Sequence, residues 1–362
     1  MQIKIKDVAN VADSCNAWKS VIDNTDYAWY QHGYYYHKYA ISFSRHAKRL
    51  LKDDSFFVYQ DGKLCGLVVL VFTQSNEYSG IQCSYIAHPL PWPLIMDNIV
   101  DRDTVESFIF NEIDKRAKHA GAGKIQLCLD YPNNNIEMSK LYVNAVRRYK
   151  FIDVSYYSHC IRILHNPHDS IRKRYKRYVN NNLNKYKVRI IDNKNFYSDI
   201  ANEYMKLHVK DSGMTHRPIQ TYKSQLETVK NGEGFVVQVI ENKNSIVVGM
   251  LVILFSNKSA YDWSVAVDPR CKNDYISHIM KWTVLSQLNN IGINYYELGK
   301  ASIVADYLWQ PSKKNYGISF FKDGWCRGGL KKVCMAEKYY NKNAIEKNIL
   351  QKKNSLIEYL DL

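Results

Sequence analysis

FVVQVIENKNSIVVGMLVILF, residues 235–255, holds two β-branched runs separated by the polar stretch ENKNS. FFVYQDGKLCGLVVLVF, residues 56–72, has the same design about Asp61-Gly62. Apolar runs joined by Asp-Gly or by a longer polar loop predict β-hairpins. Each leads into a further apolar stretch, IQCSYIA at 81–87 and SAYDWSVAV at 259–267. A helix follows in each half. Val105, Phe108, Ile109, Ile113, Ala117 and Ala120 occupy the same offsets as Ile276, Ile279, Met280, Val284, Leu288 and Ile291. Both sets form the apolar stripe of an amphipathic helix. A glycine suited to a left-handed C-terminal cap closes each, Gly121 and Gly292. Alternation then predicts a strand at Ile125, Leu127 and Leu129 in one half and at Tyr296 and Leu298 in the other. The shared order predicts two copies of one module.

The chain of 362 residues is long enough for two cores. Its apolar fraction of 46% and charged fraction of 23% fit a folded globular protein and exclude a disordered or collagen-like one. No run is long and apolar enough to span a bilayer, and the start, MQIKIKD, lacks the apolar stretch of a signal peptide. A cytoplasmic location is the expectation. The eight cysteines are scattered with no C-x-x-C pair, which argues against zinc and against a disulfide framework. His32, His37 and His46 are not spaced for metal binding, so no metal is expected. A net charge of +15 favours anionic partners, although a chain rich in Lys, Asn and Tyr gains charge from AT-rich coding alone.

Between the copies lies NPHDSIRKRYKRYVNNNLNKYKVRI, residues 166–190. Ile171, Tyr175, Val179, Leu183 and Tyr186 share one helical face, and residues 172–189 carry eight basic side chains and no acidic one. That pattern predicts a basic connecting helix, either tracking a phosphate backbone or simply presenting a solvated face. The expected plan is a first module at 1–165 on the acceptor side, a linker helix at 166–190, and a second module at 191–362 bearing the donor and transfer site. The fold class is α+β, each module a mixed, mostly antiparallel sheet flanked by helices.

The module order of hairpin, strand, long helix and strand resembles the GNAT acyltransferase fold. Such enzymes hold the pyrophosphate of acetyl-CoA in a glycine-rich loop before the long helix. The corresponding loops here, PLIMDNIVDRD and VDPRCKNDY (267–275), contain no glycine. Arg270 and Lys272 remain as side-chain phosphate ligands. The strand YYELG (295–299) and the run YGISFFKDGWCRGGL (316–330) together resemble the Fem (FemABX) aminoacyltransferases, most nearly the Fem-like proteins of surface-polysaccharide gene clusters. A segment like LHVKDSGMTHRPIQTY (207–222) occurs ahead of the second hairpin in that group. The resemblance implies transfer of an aminoacyl group from a charged tRNA to an amine, with Phe321 and Lys322 in the transfer site. It also implies no cofactor beyond the acyl donor. Unlike wall-bridge Fem enzymes, the chain lacks a long paired-helix arm.

The chemistry fits these residues. An amine attacking an acyl carbon builds negative charge on the carbonyl oxygen, which a fixed cation such as Lys322 stabilises. A carboxylate or imidazole accepts the amine's proton; Asp262, Glu297, Asp306, His208 and His216 are the candidates. Tyr261, Asp262 and Trp263 lie on one predicted strand, where alternation turns only some of them inward. His208, Asp211, His216 and Arg217 are expected in a polar loop that binds acceptor. Each has a plainer reading: Lys322 as a surface lysine beside a Gly-rich turn, the loop as a hydrogen-bonded connection, Trp92 of HPLPWPL (88–94) as packing.

The expected function is transfer of an aminoacyl group from tRNA to an amino sugar of a nucleotide-linked or lipid-linked envelope polysaccharide precursor. The donor is expected near Phe321 and Lys322, with the acceptor toward the module interface. Peripheral association with a membrane is compatible with such an acceptor. The competing expectations are an acyl-CoA-dependent N-acyltransferase of the same pathway and a non-catalytic double-GNAT protein that binds carbohydrate or nucleic acid.

Overall fold

The computed structural model describes residues 2–75, 80–86, 88–130, 136–163, 168–169, 171–215, 217–256, 259–302 and 311–360, without the side chains of residues 136–139, 272 and 359. The chain divides into two compact units. The first contains Met1–Tyr156 and Lys332–Leu362, the second Tyr157–Ile303 and Lys313–Lys331. The expected second module therefore does not run unbroken to the end of the sequence, because Lys332 onward returns to the first unit.

The first unit runs β1 (Ile3–Asp7), α1 (Ser14–Asp23), α2 (Tyr34–His46), β2 (Leu50–Asp53), β3 (Phe56–Gln60), β4 (Lys63–Val68), β5 (Val71–Gln74) and β6 (Ile81–Cys83). It continues through β7 (Leu90–Pro91), β8 (Leu94–Ile95), α3 (Arg102–His119), β9 (Ala122–Leu129), α4 (Ile136–Arg148) and β10 (Ile152–Asp153). The β3–β4 hairpin turns at Asp61 and Gly62, both with positive φ (48° and 82°), as expected for Asp-Gly. The apolar run after it breaks at Val69-Leu70. β4 pairs with β3 and β8, whereas β5 pairs with β2 and β6, so one continuous run serves two sheets. Helix α3 buries Val105, Ile109, Ile113 and Ala117 and gives way to Gly121 at φ 69°.

The second unit contains β11 (Tyr156–Arg162), α5 (Lys173–Asn182), β12 (Tyr186–Ile191), α6 (Ile200–Ser212), α7 (Ile219–Lys230), β13 (Gly234–Glu241) and β14 (Val247–Ser256). Then come β15 (Ser259–Val267), α8 (Ile276–Asn290), β16 (Tyr295–Lys300) and α9 (Lys313–Cys326). The remaining elements are β17 (Leu330–Tyr339), which pairs with β9 in the first unit, and α10 (Lys342–Tyr359). The second unit's strands lie in the order β12-β13-β14-β15-β16-β11. Strict alternation splits its core into two layers. Val237, Val239, Leu251 and Ile253 join the α8 side, while Val236, Met250 and Val252 join Tyr204 of α6 and Tyr222 of α7 on the other.

The basic segment departs from expectation. Its helix ends at Asn182, and Tyr186 opens a strand paired with β13. Val188 and Ile190 on one face and Ile191 on the other explain the change, since β-branched residues fit a pleated surface better than a helix. Lys322 also lies on a helix, α9, rather than beside a turn, and His208 and Asp211 lie within α6 rather than in a loop.

Candidate functional site

β15 and β16 pair in parallel only where Ser259–Tyr261 meets Tyr295–Glu297. Beyond those positions both strands continue, to Val267 and Lys300, with no further pairing between them among the described residues. The carboxyl ends thus form a fork, the location where open sheets accommodate ligands. Helix α9 brings Lys322 into it. Gly299 stands at φ 90°, and a Cβ there would lie 3.1 Å from Lys322 Nζ and 3.8 Å from the Tyr261 hydroxyl. The absent side chain therefore leaves room for the ammonium against the β16 backbone.

The charges around Lys322 are arranged in pairs. Asp262 forms an ion pair with Lys281 of α8, both side chains being about nine-tenths buried. The Lys281 ammonium lies 5.8 Å from the Tyr296 ring centre and 5.9 Å from that of Phe321. Glu297 accepts hydrogen bonds from Ser158 Oγ (2.7 Å) and Lys331 Nζ (2.6 Å). Burial lowers the pKa of Lys322, the Asp262 carboxylate raises it, Lys281 lowers it and Glu297 raises it, the net direction being downward. The expected catalytic set Lys322, Asp262 and Glu297 is thus held in one electrostatic neighbourhood. Both carboxylates are already engaged by lysines.

A cavity of about 450 Å³ opens at the N-terminal end of α8, lined by Asp211, Asp268, Tyr275, His278 and Phe321 among others. His278 meets Phe321 edge-on at 5.0 Å and Tyr175 edge-on at 4.5 Å. Burial, reinforced by Lys281, lowers its pKa to about 4, so the imidazole is neutral near neutral pH. Its Nε2 is buried and has no hydrogen-bond partner among the described residues. Tyr178 stacks on Tyr275 at 3.7 Å. The 3₁₀ turn Pro269–Asp274 replaces a glycine cradle.

Arg270 does not stand free for a phosphate. It grips Asp268 through Nε and a terminal nitrogen, at 2.7–3.1 Å, and Lys210 reaches the same carboxylate at 2.6 Å. The two cations, Arg270 first, hold the Asp268 carboxyl far below the usual carboxylate range. The Asp211 carboxylate accepts the Val267 N–H at 3.1 Å. Arg217 lies over the Tyr222 ring at 4.0 Å and donates to Gln225, while the Tyr222 hydroxyl meets His208 Nδ1 at 3.1 Å. These contacts bind α6 to α7. Trp263 packs on that α6–α7 side, and a register shift falls where it stands in β15, which breaks simple alternation around Asp262. His216 and Asp306 lie outside the described residues, as does the side chain of Lys272.

Lys281, His278 and Gly299 were not among the expected site residues. The first two left a trace: polar residues three apart inside the apolar helix ISHIMKWTVLSQL. Below Lys322, His159 is fully buried. Its Nε2 meets Ser319 Oγ at 2.7 Å and its Nδ1 meets Cys326 Sγ at 3.4 Å. Burial and the Lys322 charge together lower its pKa to about 4. His159, Asp323 and Cys326 bring ligand atoms within 4.8 Å of one another, but Asp323 is held by Arg172 and by the Gly328 N–H.

The first unit treats its matching fork differently. β6 pairs in parallel with Ala122–Ile125 of β9, and β7 then takes over, Leu90 and Pro91 pairing with Leu127 and Cys128. Trp92 follows, its N–H donating to the Cys128 carbonyl at 2.8 Å and its ring packing on Phe110, Tyr142 and Phe151. Backbone and indole fill this gap.

No family model matches the chain, and no curated sequence does. Solved structures do. FemX aligns over 96% of this chain and 99% of its own, at TM-score 0.65 and 12% identity. A tandem GNAT protein from the clavulanic acid biosynthesis pathway covers 94% and 99%, at TM-score 0.51 and 9% identity. The C-terminal domain of a putative lysylphosphatidylglycerol synthetase from Agrobacterium fabrum covers 94% and 96%, at TM-score 0.57 and 8% identity. At such identities the likeness is one of architecture, and this chain is a mixed α+β protein with the tandem GNAT fold that FemX also has.

Proposed function

We propose that the protein is an acyltransferase working at the β15–β16 fork of its second unit. In this reading the donor is an aminoacyl-tRNA and the acceptor an amine of an envelope or surface-polysaccharide precursor. The observation that carries it is Lys322, a half-buried cation against Gly299 in an open fork, with a cavity beside Phe321. The aminoacyl end enters along that cavity, where the unpartnered His278 Nε2 offers a hydrogen bond. The acceptor amine adds to the ester carbonyl, and the oxyanion forms beside Lys322. Collapse breaks the C–O bond and makes the C–N bond. The ribose oxygen leaves as a hydroxyl with the proton that the amine gives up. The ester is already reactive, so positioning supplies much of the acceleration.

An acyl-CoA donor is the second reading. The glycine-free turn at 269–274 and the Asp268-bound Arg270 weigh against it, because neither presents a free cradle for a pyrophosphate. Purified protein is offered labelled aminoacyl-tRNA or acyl-CoA with amino-sugar nucleotides and lipid-linked amino sugars. Label transfer from tRNA that is lost in Lys322→Met is the expected result. Transfer from acyl-CoA alone selects the second reading, and transfer from neither overturns both.

A further inference from the structure

Helix α10 is inside out for a helix on a folded unit. It packs on β9 in the first unit, and among its described side chains the buried ones are Ala344 and Asn348. Most of its described large apolar side chains face solvent instead: Ile345, Ile349, Leu350, Ile357 and the C-cap Leu360 are 37–60% exposed, with Leu356 half-buried. At 100° per residue, Ile345, Ile349 and Leu360 fall within about 60° of arc, and Ile357 and Leu350 extend the sector to about 140°. A helix normally turns such a stripe toward its own core. None of the described helices is long and apolar enough to cross a membrane, α10 included.

The charge on this helix selects the occupant. It carries four lysines against two glutamates. Lys342 and Lys353 are exposed and rise from the apolar sector itself, about 60° and 80° along the same arc; Glu346 stands beside them at about 100°, 3.3 Å from the Lys342 ammonium, so the sector keeps one positive charge in excess. A second copy would present the same surplus of positive charge, and like charges oppose such pairing. An anionic bilayer accepts both features. The isoleucine and leucine side chains enter the acyl boundary, while the lysine stems stay apolar and their ammoniums reach lipid phosphates.

We infer that α10 is an interfacial helix that docks the protein on an anionic phospholipid surface. The inference stands on α10 alone and does not depend on the acyl-transfer reading. The full chain is sedimented with vesicles of phosphatidylglycerol and phosphatidylcholine, and with phosphatidylcholine vesicles alone. Binding to the anionic vesicles, weaker on the neutral ones, is expected. The double variant Ile349→Asp, Leu350→Asp changes only exposed positions and should bind at least about tenfold more weakly, since each buried methylene contributes about 0.8 kcal/mol. Lys353→Glu should diminish the preference for anionic lipid. Three outcomes overturn the proposal. These are no vesicle binding by the parent chain, equal binding by the double variant, or a dimer in analytical ultracentrifugation that the double variant converts to monomer.

Discussion

Lys322 stands between burial, which lowers its pKa, and the Asp262 carboxylate, which raises it. Lys322→Met keeps most of the stem and removes the charge. Loss of one oxyanion-stabilising group is expected to lower kcat by about 10²–10³-fold in the transfer assay, with an unchanged circular dichroism spectrum. The same variant has a readout that needs no substrate. The Lys322 charge helps depress His159, so the His159 pKa should rise above about 4 when followed by NMR. An unmoved histidine would show that the ammonium does not reach it. Asp262 makes a different claim. It neutralises Lys281, itself about nine-tenths buried, so Asp262→Asn leaves a buried cation without its counter-ion. The expected cost is about 3–5 kcal/mol in urea unfolding. Asp262→Leu combined with Lys281→Met should recover most of that, because replacing both members of a buried pair avoids the orphaned charge.

At the level of elements, the two forks explain why one fold repeated in one chain need not give two like sites. In the second unit the fork stays open beside Gly299 and Lys322. In the first, β7 and Trp92 occupy it. Trp92 is 2% exposed, so Trp92→Ala should cost about 3–5 kcal/mol, measured as the fall in unfolding free energy of the full chain in urea. A change under about 1 kcal/mol would mean the plug is not part of the core. The hairpins and long helices were legible in the sequence, because period-2 and period-3.6 patterns with Asp61-Gly62, Gly121 and Gly292 are local signals. The plug was not. Leu90-Pro91 is two residues long, and only its pairing with Leu127 and Cys128, far along the chain, makes it a strand. Tyr186 misled for a related reason: it continues a helical stripe by spacing, yet the partner strand β13 decides its backbone. Phe321 and Lys322 were singled out from a short run resembling a known family. Lys281 and His278, held by tertiary contacts, were signalled only as polar interruptions of an apolar helix.

For the molecule as a whole, acid is the condition that tests its interior. His32, His159 and His278 are each lowered to about 4, burial being the first cause in all three. In the unfolded chain a histidine takes its proton near pH 6.5. Between about pH 6.5 and 4 the unfolded state therefore binds more protons than the folded one, and stability must fall as pH falls through that window. Above pH 6.5 the contribution is complete; below about 4 it is lost. Asp53, lowered to about 2 despite burial by its bonds to His37 and Ser55, extends the acid sensitivity below the histidine window. His278 offers the cleanest separation, because its Nε2 has no hydrogen-bond partner among the described residues, aromatic rings pack on it, and Lys281 is the one charge that adds to the effect of burial. His278→Phe replaces a buried polar ring by an apolar one, so stability at pH 7 should hold or rise. The acid limb should become shallower by up to one proton, about 1.4 kcal/mol per pH unit near pH 5. Urea midpoints measured from pH 7.5 to 4.5 give the comparison directly. Parallel limbs in the parent and the variant would mean that His278 titrates alike in folded and unfolded chains, and hence that the wall of the α8 cavity is wet rather than closed.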